Sequence, residues 1–188
     1  MTTFNQIAAA AVIALLSFGA SAGEIVGSDI RGNNADNRAT AVDSKALQHI
    51  GVTFGSGRIL NSQIDADKAT NLANGKNSVA HQDIGRALNG GTMNNVQVRA
   101  TDAHNHAQGK DSVAEQRIGS VANGTMKDVN INALRVKNHA LAENSRATQE
   151  IGVVARGVMR NVNIYADNAN NLASGKNSVA EQKIGVVN

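Results

Sequence analysis

The chain has 188 residues, with 18 basic and 15 acidic side chains, five histidines and a formal charge of +3. It contains no cysteine, proline or tryptophan, and only 2% of its residues are aromatic; this excludes a disulfide-stapled scaffold and a conventional core of large side chains. The positive excess forms no basic run, so composition gives no support to nucleic-acid recognition.

In chain order, the first element is "MTTFNQIAAAAVIALLSFGASA", residues 1–22. It carries no charged side chain, has an apolar run from Ile7 to Phe18 and closes on the small-x-small triplet Ala20-Ser21-Ala22. The run is too short to span a bilayer comfortably, so a signal peptide is expected, with an exported mature chain from Gly23.

Beyond it the chain repeats. Ile50-Gly51, Ile84-Gly85, Ile118-Gly119, Ile151-Gly152 and Ile184-Gly185 recur at intervals of 34, 34, 33 and 33 residues, a period that belongs to stacked repeat architectures. The expected units are an N-terminal half-repeat at 23–36, full repeats at 37–70, 71–104, 105–137 and 138–170, and a C-terminal half-repeat at 171–188.

Each unit holds three stretches with the two-residue alternation of a strand. One is the NSVAEQKIG type, in which Ser44, Ala46, Gln48 and Ile50 recur without change through Ser178, Ala180, Gln182 and Ile184 while the intervening residues vary. The recurring set is therefore expected to face inward and the variable set to face water. A second stretch places Ser62, Ile64 and Ala66 in register with Val96, Val98 and Ala100; a third places Asn71, Ala73 and Gly75 in register with Asn105, Ala107 and Gly109. The glycines Gly51, Gly85, Gly119, Gly152 and Gly185 read as turn positions with positive φ. A helical repeat fits less well, because the period is two and Asn, Gly and Ser crowd the other positions.

The predicted fold is an all-β parallel solenoid of 33–34-residue repeats, with about three short strands per coil and four full coils plus two complementary half-coils. Coils about 4.8 Å apart would place like residues over like. Gln48, Gln82, Gln116, Gln149 and Gln182 would then form one buried amide ladder, and Asn37, Asn71, Asn105, Asn138 and Asn171 a second, beside an apolar column of Ile50, Ile84, Ile118, Ile151 and Ile184. A buried amide without a partner costs about 1–3 kcal/mol, and stacking supplies that partner.

The two half-repeats fall in one register, Ser28, Ile30 and Gly32 aligning with Ser62, Ile64 and Ala66. The expected subunit junction therefore joins Ser28, Ile30 and Gly32 of one molecule to the coil carrying Ser178, Ala180 and Gln182 of another. Such a contact is head-to-tail and does not close, which gives a filament advancing about five coils, about 24 Å, per subunit.

With its exported chain, amide ladders and "SVAEQKIG…N" units, the sequence resembles bacterial functional-amyloid fibre subunits, curli-type and more loosely Fap-type. That resemblance implies extracellular or cell-surface localisation by way of the periplasm, an outer-membrane export channel with assembly factors, and a role in biofilm matrix and adhesion.

Other classes find less support. A non-polymerising β-solenoid surface adhesin is the main alternative, and "AQGKDSVAEQRIG" faintly resembles trimeric-autotransporter head repeats, which need a C-terminal membrane anchor that nothing after Gly185 would supply. An ice-binding face would need an unbroken threonine column, but Arg58 and Val158 interrupt Thr92 and Thr125. His106 and His139, with His104 nearby, read as a solvated group without a full ligand set. Asp67 and Asp167 share a column three coils apart, too far for paired-carboxylate chemistry. No catalytic residue, metal ligand or cofactor is therefore assigned, and no phosphate loop or nucleophile elbow occurs.

Overall fold

The computed structural model describes residues 23–188; the expected signal peptide, 1–22, lies outside them. The described chain winds through five turns, all strand and loop. The first turn contains β1 (Glu24–Val26), β2 (Asp29–Asn33), β3 (Asp36–Ala39) and β4 (Lys45–Thr53). The second is β5 (Arg58–Asp67), β6 (Thr70–Asn74) and β7 (Val79–Ala87), and the third β8 (Thr92–Thr101), β9 (His104–Gln108) and β10 (Val113–Ala122). The fourth holds β11 (Thr125–Leu134), β12 (Lys137–Leu141), β13 (Arg146–Ile151) and β14 (Val154–Ala155); the fifth, β15 (Val158–Asp167), β16 (Asn170–Ser174) and β17 (Val179–Ile184).

Equivalent strands of successive turns pair in parallel, giving three sheets that run the length of the solenoid. The valine sheet contains β1 and β2 followed by β5, β8, β11 and β15; the asparagine sheet β3, β6, β9, β12 and β16; the glutamine sheet β4, β7, β10, β13 with β14, and β17. Register holds like over like: Gln82 pairs with both Gln48 and Gln116, Ile118 with Ile84 and Ile151, and Asn105 with Asn71 and Asn138. Ile30 and Gly32 pair with Ile64 and Ala66, so the four repeats and two half-repeats of the sequence join into five continuous turns.

The corners account for much of the Asn and Asp content. Asp43, Asn77, Asp111, Asn144 and Asn177 all adopt the left-handed backbone between the asparagine and glutamine sheets, with φ of 56–61°. Asn and Asp tolerate that region better than other side-chain-bearing residues. They also stack, Asn77 Nδ2 donating to Asp43 Oδ1 at 2.9 Å and Asn144 Nδ2 to Asp111 Oδ1 at 2.9 Å.

Two further left-handed columns lie inside strands. Gly51, Gly85 and Gly119, expected at turns, instead sit within β4, β7 and β10 and kink them, with φ of 62, 63 and 58°. A side chain could not replace these glycines readily: a Cβ on Gly85 would lie 2.7 Å from Val98 Cγ2, and one on Gly119 would lie 2.5 Å from Ile131 Cδ1. The valine sheet is kinked likewise at Asn61, Asn95, Asp128 and Asn161. Each kink shifts the alternation by one residue, so that Ile59 and Ser62, three positions apart, are both buried.

The interior has two compartments. Between the valine and glutamine sheets pack Ile50, Ile84, Ile118 and Ile151 with Ile64, Val98, Ile131 and a column of Met93 and Met126. Beside the asparagine sheet, Ala46, Ala80, Ala114 and Ala147 face Ala73, Ala107 and Ala140. Alanine suits a space where two sheets converge, and each fully buried Ile in the wider compartment contributes about 1.5–3 kcal/mol.

Candidate functional site: amide ladders and the kinked glutamine face

The glutamine ladder is continuous. Gln82 Nε2 donates to Gln48 Oε1 at 2.6 Å, Gln116 to Gln82 and Gln149 to Gln116 at 2.7 Å, and Gln182 to Gln149 at 2.5 Å. Each donor therefore points toward the preceding turn. Backbone carbonyls fix this sense: Gln82, Gln116 and Gln182 Nε2 also donate at 3.1 Å to the carbonyls of Ala69, Ala103 and Ala169, which can only accept.

The asparagine ladder runs the other way. Asn37 Nδ2 donates to Asn71 Oδ1 at 2.8 Å, Asn71 to Asn105 at 2.7 Å, and Asn105 to Asn138 and Asn138 to Asn171 at 2.8 Å. Here too the backbone sets the sense, since Asn105 Nδ2 lies 3.0 Å from the Ala80 carbonyl and 2.9 Å from that of Glu115.

The ends of the two ladders complement each other. Among the described residues nothing donates to Gln182 Oε1 at one end or to Asn37 Oδ1 at the other. At the Gln182 end, Ile184 is 43% exposed, whereas its equivalents Ile84, Ile118 and Ile151 are fully covered by the next turn. Ser178 and Ala180 share that exposed edge, while Ser28, Ile30 and Gly32 lie at the opposite end of the stack, beside β5. The imidazoles of His106 and His139 are neighbours, their ring centroids 5.9 Å apart.

The outer face of the glutamine sheet departs from the expectation of a water-facing surface. The Asp83 side chain is only 1% exposed, and Val52, Ser120 and Val153 beyond the kink are also buried. The kink makes this face concave, so residues on either side of the glycine column approach one another; Arg86 Nη1 reaches Asp83 Oδ2 at 2.9 Å. In the same groove His81 Nε2 lies 2.9 Å from Asp83 Oδ2 and His81 Nδ1 lies 3.0 Å from Glu115 Oε2. Arg117 continues the chain, 3.1 Å from Glu115 and 3.2 Å from Glu150.

Burial opposes charging of His81, but hydrogen bonds to Asp83 and Glu115 outweigh it and raise its pKa to about 9. The His81 hydrogen bond is the main reason that Glu115 falls to about 2. Burial likewise opposes ionisation of Asp83, yet the flanking His49, His81 and Arg86 hold its carboxyl well below the ordinary range. Sequence reasoning passed over this group because its members stand in columns that vary from unit to unit. The available signal was a run of alternating charge one repeat apart: His49, Asp83, Arg117, Glu150, Lys183.

No protein-family model matches the chain, and neither does any curated protein or solved structure compared with it.

Proposed function

We propose that this is a secreted structural protein that self-assembles head-to-tail into an extracellular fibre of the functional-amyloid kind, serving adhesion or a biofilm matrix. The observation that supports this reading best is the opposite sense of the two ladders. One end of the solenoid offers a free Gln182 acceptor together with the Asn171 amide donor; the other offers the Asn37 acceptor together with the Gln48 donor. Stacking one molecule's first turn on another's last continues both ladders, Gln48 donating to Gln182 and Asn171 to Asn37. Joining two like ends with Gln182 over Gln182 would set acceptor against acceptor. Parallel sheets with exposed edges favour the same polarity.

Export would use the expected signal peptide and an outer-membrane channel with assembly factors, as the resemblance to curli-type subunits implies. Electron microscopy of the chain beginning at Gly23 tests the proposal, beside Gln182→Arg and Glu181→Arg variants. Filaments are expected from the parent and from Glu181→Arg, with elongation blocked in Gln182→Arg. A parent that stays monomeric while showing β-rich circular dichroism would replace this reading with a non-polymerising adhesin.

A further inference from the structure

The groove on the glutamine sheet contains a second feature, independent of assembly. His49, His81 and Asp83 each offer one ligand atom, and these atoms lie within 4.8 Å of one another. Asp83 Oδ2 is 2.9 Å from His81 Nε2 and 3.4 Å from His49 Nδ1. A tetrahedral ion with ligands at about 2.0–2.1 Å requires ligand–ligand separations of about 3.3 Å, a value that the two Asp83 contacts bracket.

Hydrogen bonding leaves two buried atoms of the group, His49 Nδ1 and Asp83 Oδ1, without a partner. Asp83 Oδ2 is crowded by His81, His49 and Arg86, while Oδ1 of the same carboxylate is buried without a hydrogen-bond partner. His49 Nδ1 lies near Asp83, but the contact is too poorly directed for a hydrogen bond, leaving that nitrogen buried and unpartnered as well. His81 directs its other nitrogen at Glu115 Oε2, the outer carboxylate that commonly orients a metal-bound imidazole. Around these ligands the carboxylates Asp83, Glu115 and Glu150 face the guanidinium groups of Arg86 and Arg117, and Arg117 Nη1 lies 3.3 Å from His81 Nε2. The vacant Asp83 Oδ1 can receive Arg86 when Oδ2 turns to a cation, and Arg117 Nη1 already lies 3.9 Å from it.

We infer that His49, His81 and Asp83 form a site for one divalent ion of the zinc class, with Glu115 as a positioning residue. Two imidazoles and a carboxylate suit zinc, cobalt or copper better than magnesium or calcium, which prefer all-oxygen shells.

The test is a titration of the chelator-stripped full chain with Zn²⁺ by calorimetry and with Co²⁺ by visible absorption. One ion per chain is expected, with the intense visible band of tetrahedral cobalt. His49→Gln should weaken binding at least 100-fold, Glu115→Gln by about 10–100-fold, and His106→Ala should have no effect. His49 is the informative position because its side chain is a quarter exposed, so the variant should keep its circular dichroism spectrum. Zinc should raise the unfolding temperature of the parent and leave that of His49→Gln unchanged. Absence of saturable one-to-one binding overturns the inference. So does binding that survives His49→Gln and disappears with His106→Ala, which would place the ion on the other histidine group.

Discussion

The two faces of the glutamine strands follow different rules. Inward, every turn presents the same Ser-Ala-Gln-Ile set, and each Gln meets another Gln. Outward, the adjacent column reads His49, Asp83, Arg117, Glu150, Lys183, and each side chain meets a different neighbour. The inward face makes the turns interchangeable. The outward face tells them apart, because the triad of His49, His81 and Asp83 can form only where the first two turns meet. Identity within a column therefore builds a stack of any height, whereas variation within a column marks one level of it.

An inward substitution on β10 and an outward one on the adjacent strand β13 test this contrast most strongly. Gln116→Leu removes the acceptor used by Gln149 and the donor received by Gln82, leaving two buried amide groups unsatisfied. At about 1–3 kcal/mol for each group the expected loss is about 2–6 kcal/mol, measured by chemical unfolding. A loss no larger than that of an outward substitution such as Thr148→Ala would remove the distinction between the faces.

The outer groove should reveal itself through pH. In the metal-free chain the pKa of His81 is higher folded than unfolded, so its contribution is fully present below about pH 6.5 and is lost as pH rises through about 9. At ~1.4 kcal/mol per pH unit this amounts to about 3 kcal/mol. Glu115 and Asp83 act in the opposite sense, their contributions being lost as pH falls below their unfolded pKa values. Unfolding midpoints taken in chelator should therefore be highest between about pH 4.5 and 6.5. In His81→Gln the decline toward pH 9 should flatten; a decline of the same slope in both proteins would assign it to another group.

The smallest effect is expected at the exposed pair Asp102–Arg135. Its geometry is good, with two contacts of 2.8 Å, but solvent screens it. Arg135→Ala should leave the unfolding midpoint where it was, and a clear fall would show that outer columns contribute to every turn.

Much of this architecture was legible in the sequence, since a strict two-residue alternation repeated every 33–34 residues fixes both the strand faces and the register. Ile50 and Gln48 could be placed inside from that pattern alone. The kinks were harder to read. A left-handed residue in mid-strand shifts the alternation by one, so Met93 and Met126 are buried although they fall outside the periodic set that begins at Val96 and Val129. The kink at the glycine column also draws Asp83 under cover, and no pattern along one strand reports a contact between strands that bend toward each other. The Asn61, Asn95, Asp128 and Asn161 column was the clue to the second kink, because Asn and Asp are the residues that tolerate such a backbone.

The opposed ladders have one more consequence. A primary amide has a dipole comparable to the ~3.5 D of a peptide unit, and a column of aligned amides would add these vectors turn after turn. Here each turn contributes one glutamine amide oriented toward the preceding turn and one asparagine amide oriented toward the next. Their axial components oppose each other within every layer. A stack can therefore lengthen without accumulating a large field from its amides at either tip, and adding the hundredth layer costs no more electrostatically than adding the sixth.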